Sequence, residues 1–385
     1  MKHFERLTLY PTRSVALGRF CAFFLYSSAR RAFIHQGMHM VNGARKPIAL
    51  DLFSGSGAVT LGLKQAGFSV VGAVDLNPGA CQTYRANHPE VRLIEKDIRR
   101  TSPDEFSDLI SEQLDLLVIC APCQPFSSQN RHRSEHDSRN DLVKASMPFI
   151  ERYNPSIVFL ENVPGLEASD VFGGFTKWLE DEAGYNVSKA MRIDAAELGV
   201  PQRRTRMVLI AVKGISLDVA IDIARAEKET VWKTIGDLPE PTVGPSTVAR
   251  DKLHFARKHS ALNIRRLEHI PHDGGSRHSL PPDLQLACHR NKKKSSFPDT
   301  YGRMQWHEVS PTLTTGCTDI TRGRFAHPVQ NRAITLREAA RLQTFPDDYI
   351  FNGNSAQIST QIGNAVPPKM MAVIAKSLIR AINLE

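Results

Sequence analysis

Cys120 and Cys123 stand three apart in LLVICAPCQPFSS, just past an apolar run and between two prolines. That spacing suits a redox dithiol, half of a zinc site, or one working nucleophile beside a bystander. A structural zinc site needs a second ligand pair, and Cys288-His289 is the only other cluster; adjacent residues chelate one ion poorly. In the third reading Cys123 acts from a loop after a strand, and Cys120 closes the strand as a small apolar residue. On the pair alone the three readings stand level. Glu161 and Asn162 follow four apolar residues in SIVFLENVPG. A carboxylate at a buried strand end is costly unless partnered or protonated, so Glu161 is a candidate acid with a raised pKa. The plain alternative is a glutamate paired with a nearby arginine. Arg204 and Arg206, two apart in VPQRRTRMVLIAV, share one face if the strand reaches back that far, forming an anion clamp or a solvated edge.

A second group of residues suits a nucleoside. DLFSGSGAVTLGL puts Gly55 and Gly57 between a strand and a helix, where glycine lets backbone approach a ligand. Thr60 breaks the G-x-G-x-x-G dinucleotide fingerprint. Asp75, at the end of the next strand, is placed to accept ribose hydroxyls. S-adenosylmethionine, which carries no pyrophosphate, fits this pattern better than NAD. A tight turn in any α/β protein is the competing explanation.

The elements that must hold these residues alternate. IALDLF, SVVGAVDL, LDLLVI, SIVFLENV and RMVLIAV read as strands, and AVTLGLKQAG as a helix ended by Gly67. Such alternation predicts an α/β fold with a mostly parallel sheet covered by helices. Residues 236–330 are rich in Pro, Gly, His and basic side chains, with weak periodicity, and predict a loop-rich module. Thr335 and Glu338 have capping-box spacing at the start of TLREAARLQ. Pro367 and Pro368 mark the start of a last helix. The net charge of +9, from 49 Lys+Arg against 40 Asp+Glu, permits a polyanionic partner without demanding one. Six irregularly spaced cysteines do not make a secreted disulfide framework, and no apolar run approaches a membrane span of ~20 residues. The first 45 residues are arginine-rich with Glu5 as their one acidic residue. They read as a disordered or mis-started extension, with translation beginning at Met38 or Met40; a transit peptide is the alternative.

Taken in order, DLFSGSG, VDLNPGA, KDIRR, APCQPFS, FLENVPG, VPQRRTR, RFAHPVQNRAITLREAARLQTFPD and QIGNAVPP resemble the DNA (cytosine-5)-methyltransferase family of bacterial type, restriction-modification or orphan. The resemblance runs from about Ile48 to the C-terminus, apart from some of 213–310. It implies a Rossmann-like, S-adenosylmethionine-dependent catalytic domain with a smaller target-recognition domain. It also implies transfer of a methyl group to C5 of a flipped-out cytosine in double-stranded DNA, with Cys123 as the nucleophile. Phe53, Ser54, Gly55 and Gly57 would cradle the cofactor's methionine part. Asp75 would hold its ribose, Leu76 and Ile98 would flank its adenine, and Asp97 would accept from the adenine amino group; a simple helix cap is the other reading of Asp97. Pro122 and Asn364 would complete the pocket. Glu161 would face the cytosine ring nitrogen, with Arg204 and Arg206 orienting the base.

The segment FSSQNRHRSEHDSRNDL would close over the DNA, with Gln129, Arg131 and Arg133 touching it; Asn130 and Ser134 stand where the family usually has glycines. Arg303 is the expected base-edge reader, Lys292–Lys294 suit phosphates, and Ser310–Gly316 would pack near the flipped base. The expected domains are an extension (1–45), a catalytic and cofactor-binding domain (46–215), a target-recognition domain (216–354) and a returning segment (355–385). A cytoplasmic, nucleoid-associated monomer without metal or membrane is implied, with a cognate restriction endonuclease left open. A transfer-RNA cytosine methyltransferase and a cofactor-binding regulatory protein without turnover are the alternatives.

Overall fold

The computed structural model describes residues 40–41, 44–111, 113–122, 142–245, 251–289 and 297–384. Residues up to Arg45 form one unit, whose described part is an antiparallel pair, β1 (Met40–Val41) with β2 (Ala44–Arg45). The second unit spans Lys46–Glu385 and carries everything that follows.

Its sheet is built from β3 (Ile48–Leu52), β4 (Ser69–Asp75), β5 (Arg92–Glu95), β6 (Leu116–Ile119), β7 (Ile157–Asn162), β8 (Asn186–Val187), β9 (Met191–Asp194) and β10 (Thr205–Val212). The spatial order is β5-β4-β3-β6-β7-β10-β8, with β9 also on β10. Pairs from β5 to β7 are parallel, and β10 runs antiparallel to β7, β8 and β9. Both faces are buried. In β10, Val208, Ile210 and Val212 enter one core cluster while Met207, Leu209 and Ala211 enter the other. Covering on both sides is why these strands read as unbroken apolar runs instead of alternating ones.

One face is covered by α1 (Ala58–Ala66) and a later helix, α10 (Pro368–Asn383). Gly67 ends α1 in a left-handed turn, φ 117°. The two helices touch closely at Gly62, where a Cβ would lie 2.5 Å from the Pro368 carbonyl oxygen and 2.7 Å from Met371 Cβ. The other face packs against α3 (Met147–Tyr153) and α4 (Asp170–Asp181), while α2 (Pro78–Asn87) follows β4.

After β10 come α5 (Leu217–Ile221), α6 (Val231–Ile235), a short parallel pair β11 (Thr242–Val243) and β12 (Phe255–Ala256), and α7 (Ala261–Glu268). Long irregular chain then leads to α8 (Leu336–Leu342) and α9 (Ser355–Asn364). Thr335 and Glu338 form the expected capping box, each side chain accepting from the other's backbone N–H. A third core cluster joins Val231, Met304, Leu313 and Phe325 of this region to Ala58 of α1 and Ile362 of α9. No helix among the described residues is long and apolar enough to cross a membrane.

Candidate active site

The carboxyl ends of β3, β4, β6 and β7 open onto one cleft, where parallel sheets usually bind ligands. Its volume is about 2470 Å³, against the ~300–1,000 Å³ usual for a small-molecule pocket. It therefore has room for a cofactor and a second, larger partner.

Phe53, Ser54, Gly55, Asp75, Leu76, Asp97, Ile98, Pro122 and Asn364 all line the cleft, as the sequence predicts. The turn after β3 puts Phe53 and Gly55 at φ 62° and 53°. This frees the Gly55 N–H to donate to Asp75 Oδ2 at 2.8 Å, while Asn77 N–H donates to Oδ1 at 2.8 Å. Burial pushes the Asp75 carboxyl up, and those two backbone donors oppose the rise. Leu76 is 61% exposed beside it, an apolar ledge facing the cleft. Asp97 caps the turn Ile98–Arg100 and also holds the Arg99 guanidinium, whose hydrogen bonds bring its carboxyl down to about 2. The cap reading of Asp97 is therefore realised; its carboxylate still lines the cleft.

Gly57 differs from expectation. It does not line the cleft but faces the support behind it, where a Cβ would lie 2.6 Å from His88 Cδ2 and 2.9 Å from the Tyr349 hydroxyl. Tyr349 donates to the Ser56 carbonyl at 2.6 Å, and His88 Nε2 lies 3.0 Å from the Gly57 carbonyl oxygen. Burial holds the His88 imidazole at about 4, so it is neutral. Next to this support Asp51, fully buried on β3, accepts from the Thr60 hydroxyl at 2.7 Å. Its Oδ1 has no partner among the described residues, and burial lifts the carboxyl to about 7.

At the end of β7, Glu161 Oε1 is 3.0 Å from Arg206 Nε. Burial raises the Glu161 pKa, while Arg206 and then Arg204 pull it back. Arg206 lies on β10; Arg204 comes one residue before the strand and is 2% exposed. Its Nη1 donates to the Leu313 carbonyl at 3.1 Å and its Nη2 to that of Gly363 at 3.0 Å. Its Nε has no partner among the described residues. All three side chains border the cleft, as do Ser310–Thr315.

Cys120 packs against the core beside the sheet, and burial, then Glu161 and Asp51, drive its thiol well above the ordinary range. It stays protonated, consistent with a strand-closing role. Cys123, Gln129, Arg131, Arg133 and Lys292–Lys294 lie outside the described residues. The described residues that lead to Cys123 are nonetheless held in place. Asn162 Nδ2 donates to the Ala121 carbonyl at 3.1 Å, and Asn162 Oδ1 accepts from Val163 N–H at 2.8 Å. Asn162 thus ties Ala121-Pro122 to the strand that carries Glu161. Sequence spacing alone assigns no role to Asn162, nor to Asp51, His88 or Tyr349.

Arg303 is a correction. It is fully buried and does not border the cleft. Its Nε donates to the Ile270 carbonyl, Nη1 to those of His327 and Gln330, and Nη2 to the Leu267 carbonyl and Asn331 Oδ1. A guanidinium has five N–H donors, and all are used inside the protein. Burial lowers its pKa to about 10. Arg303 braces the module and has no donor left for a base edge.

The family model for C-5 cytosine-specific DNA methylase matches residues 49–380. The type II methylase M.HgiDII of Herpetosiphon aurantiacus is 37% identical over 341 residues, covering 86% of this chain and 94% of that protein. The type II methyltransferase M1.HphI of Haemophilus parahaemolyticus is 31% identical over 337 residues, covering 86% of each. Among solved structures, a prophage-encoded DNA modification methyltransferase from E. coli superposes with a TM-score of 0.68 at 23% identity, over 88% of this chain and 100% of that one. That last likeness concerns the fold, and it matches the mostly parallel sheet described above. With the family model spanning most of the sequence and relatives matching nearly end to end, the chain belongs to the C-5 cytosine-specific DNA methylase family and is a DNA (cytosine-5-)-methyltransferase.

Proposed function

We propose that the chain methylates C5 of a flipped-out cytosine at a specific site in double-stranded DNA, using S-adenosylmethionine and Cys123. The observation that carries this reading is one cleft with two chemically distinct ends. At one end are the Gly55 turn, Asp75 and the Leu76 ledge; at the other are Glu161, Arg204 and Arg206. The first end fits the cofactor. Gly55 has open space where a Cβ would stand, so backbone meets ligand directly. Asp75 is anchored through two N–H groups and keeps lone pairs for a ribose diol. Leu76 and Ile98 offer apolar surface for an adenine, and Asp97 an acceptor. S-adenosylmethionine supplies a methyl group on a sulfonium.

At the other end, the Cys123 thiolate adds to cytosine C6, forming a C–S bond and leaving C5 with enamine character. Glu161, whose carboxyl pKa burial raises against the pull of Arg206 and Arg204, donates to ring N3 as charge develops there. Arg206 fixes the carboxyl's orientation through its 3.0 Å contact. After C5 is methylated, loss of its proton breaks the C–S bond and returns the thiolate. A stacked duplex hides both ring faces, so the base must leave the helix. The cleft's surplus volume suits that nucleotide and its flanks. Residues 216–354 then act as the target-recognition module.

Cys123→Ser is expected to abolish methyl transfer while keeping cofactor affinity, and Cys120→Ser to retain substantial activity. Bisulfite sequencing of DNA from expressing cells reads product and site together, and calorimetry reads cofactor binding. Equal loss in both variants, or zinc bound at the pair, overturns the single-nucleophile reading. Methylation of transfer RNA with duplex DNA untouched overturns the substrate.

A further inference from the structure

Arg303 leaves the role of sequence reader vacant, and the cleft contains another arginine suited to it. Among cations bordering the cleft, Lys96, Arg99, Arg206 and Arg324 are held by Glu105, Asp97, Glu161 and Asp299. Arg204 is spent on carbonyls. The guanidinium groups of Arg203 and Arg322 make no ion pair or hydrogen bond among the described residues, and Arg322 is the one whose seat the structure defines.

That seat is Gly316. A Cβ there would fall 2.3 Å from Arg322 Cδ and 3.2 Å from its Nε and Nη1. Glycine is therefore required for the Arg322 stem to lie across the backbone. The seat is itself rigid. The Leu313 N–H donates to Gln202 Oε1 at 2.9 Å, and the Leu313 carbonyl accepts from Arg204. Thr315 O accepts from the Ser359 hydroxyl at 3.0 Å. Gly363 of α9 abuts Thr314 so closely that a Cβ there would come within 2.4 Å of Thr314 carbonyl atoms. The carboxylate of Asp319, the nearest acid in sequence, is hydrogen-bonded to Arg257, Thr321 N–H and the Thr321 hydroxyl, and meets Arg322 only as a neighbouring charge. An exposed arginine whose stem lies against the Gly316 backbone, with no ion pair or hydrogen bond on its guanidinium among the described residues and a place in the cleft, keeps its planar fork for something outside the protein.

We propose that Arg322 reads a base edge of the DNA duplex beside the target cytosine, with guanine the base its fork fits. This rests on the function proposed above. A phosphate contact needs only a point charge, whereas a stem laid across Gly316 narrows the fork's directions, and direction is what bidentate base recognition needs. The segment under Arg322 also holds Arg204, so the reader and the base-orienting residues share one rigid backbone.

The test is a methylation profile over a randomised duplex library for the parent, Arg322→Ala, Arg322→Lys and Gly316→Ala, with cofactor affinity as the check on folding. Arg322→Ala is expected to relax choice at one position near the methylated cytosine by roughly 5- to 150-fold. Arg322→Lys should not restore it. Gly316→Ala, by displacing the stem, should relax the same position. An unchanged Arg322→Ala profile overturns the proposal. So does a loss uniform across sequences with a salt slope smaller by about one, the signature of a phosphate contact. Parent protein that labels no duplex sequence would instead sink the underlying function.

Discussion

Replacing Arg303 with alanine should unfold the molecule more readily without first altering its choice of DNA. The guanidinium serves five acceptors. Two of these keep a backbone donor when it is removed: the Leu267 carbonyl retains Ile270 N–H, and that of Gln330 retains Arg332 N–H. Asn331 is half-buried and reaches solvent. The Ile270 and His327 carbonyls lose their donor. A buried acceptor left empty costs ~1–3 kcal/mol, so two give roughly 2–6 kcal/mol. The three remaining lost bonds are offset by the relief of no longer burying a charged group. At about 2 °C per kcal/mol for a chain of this size, the melting temperature should fall by roughly 4–12 °C. Arg303→Lys should recover little, because an ammonium has three donors and no fork. Thermal melting followed by circular dichroism, paired with a methylation profile on a randomised library, separates the possibilities. If Arg303→Ala melts with the parent yet changes sequence choice, the internal-brace assignment is refuted.

Asp51 should make stability fall as pH rises. Its carboxyl titrates near 3.8 in the unfolded chain and about 7 in the fold, so between those values the unfolded state holds fewer protons and folding weakens, with the full penalty present above 7. Between pH 5 and pH 7, where the slope of ~1.36 kcal/mol per unit tapers as the carboxyl titrates, this amounts to about 2 kcal/mol. Asp51→Asn should narrow the melting difference across that interval; an unaltered difference would assign the slope to other groups. Tyr349→Phe removes the donation to Ser56 O, worth ~1 kcal/mol, and should weaken S-adenosylmethionine binding roughly fivefold by calorimetry. An unchanged affinity would show that the turn holds its shape without that hydroxyl.

The strands that carry the site are legible because burial on both faces leaves them largely apolar, and Asp75, Glu161 and Arg206, at or near the ends of β4, β7 and β10, stand out as polar residues lining the cleft. β5, with sequence RLIE, lies at the sheet edge with Arg92 and Glu95 exposed, so it gives no such run. β8 has only two residues. Capping chemistry exposed α8 through Thr335 and Glu338. The same reasoning applied to Asn354 and Gln357, which form the capping box of α9, would have found that helix too. Contacts made by distant returns of the chain were not legible. Tyr349 reaches Ser56 across 293 positions, and nothing local in FPDDYIF marks that tyrosine as a support for a turn near the other end. Arginine burial was equally hidden. Arg303 and Arg322 both lie in basic, irregular sequence, and only tertiary packing separates the one enclosed by carbonyls from the one left open on Gly316.

The close contact of α1 with α10 at Gly62 has a bearing on how the chain is made. On a ribosome, α1 leaves the exit tunnel well before the helix that covers it. The roughly 300 residues between Ala66 and Pro368 take about 15–60 s to add at 5–20 residues per second. Throughout that interval the apolar side of α1, with Val59 and Leu63, waits without Met371 and Ile374 against it. The nascent sheet is thus half-clad, and a stall during translation of the recognition module prolongs its exposure to chaperones or to aggregation.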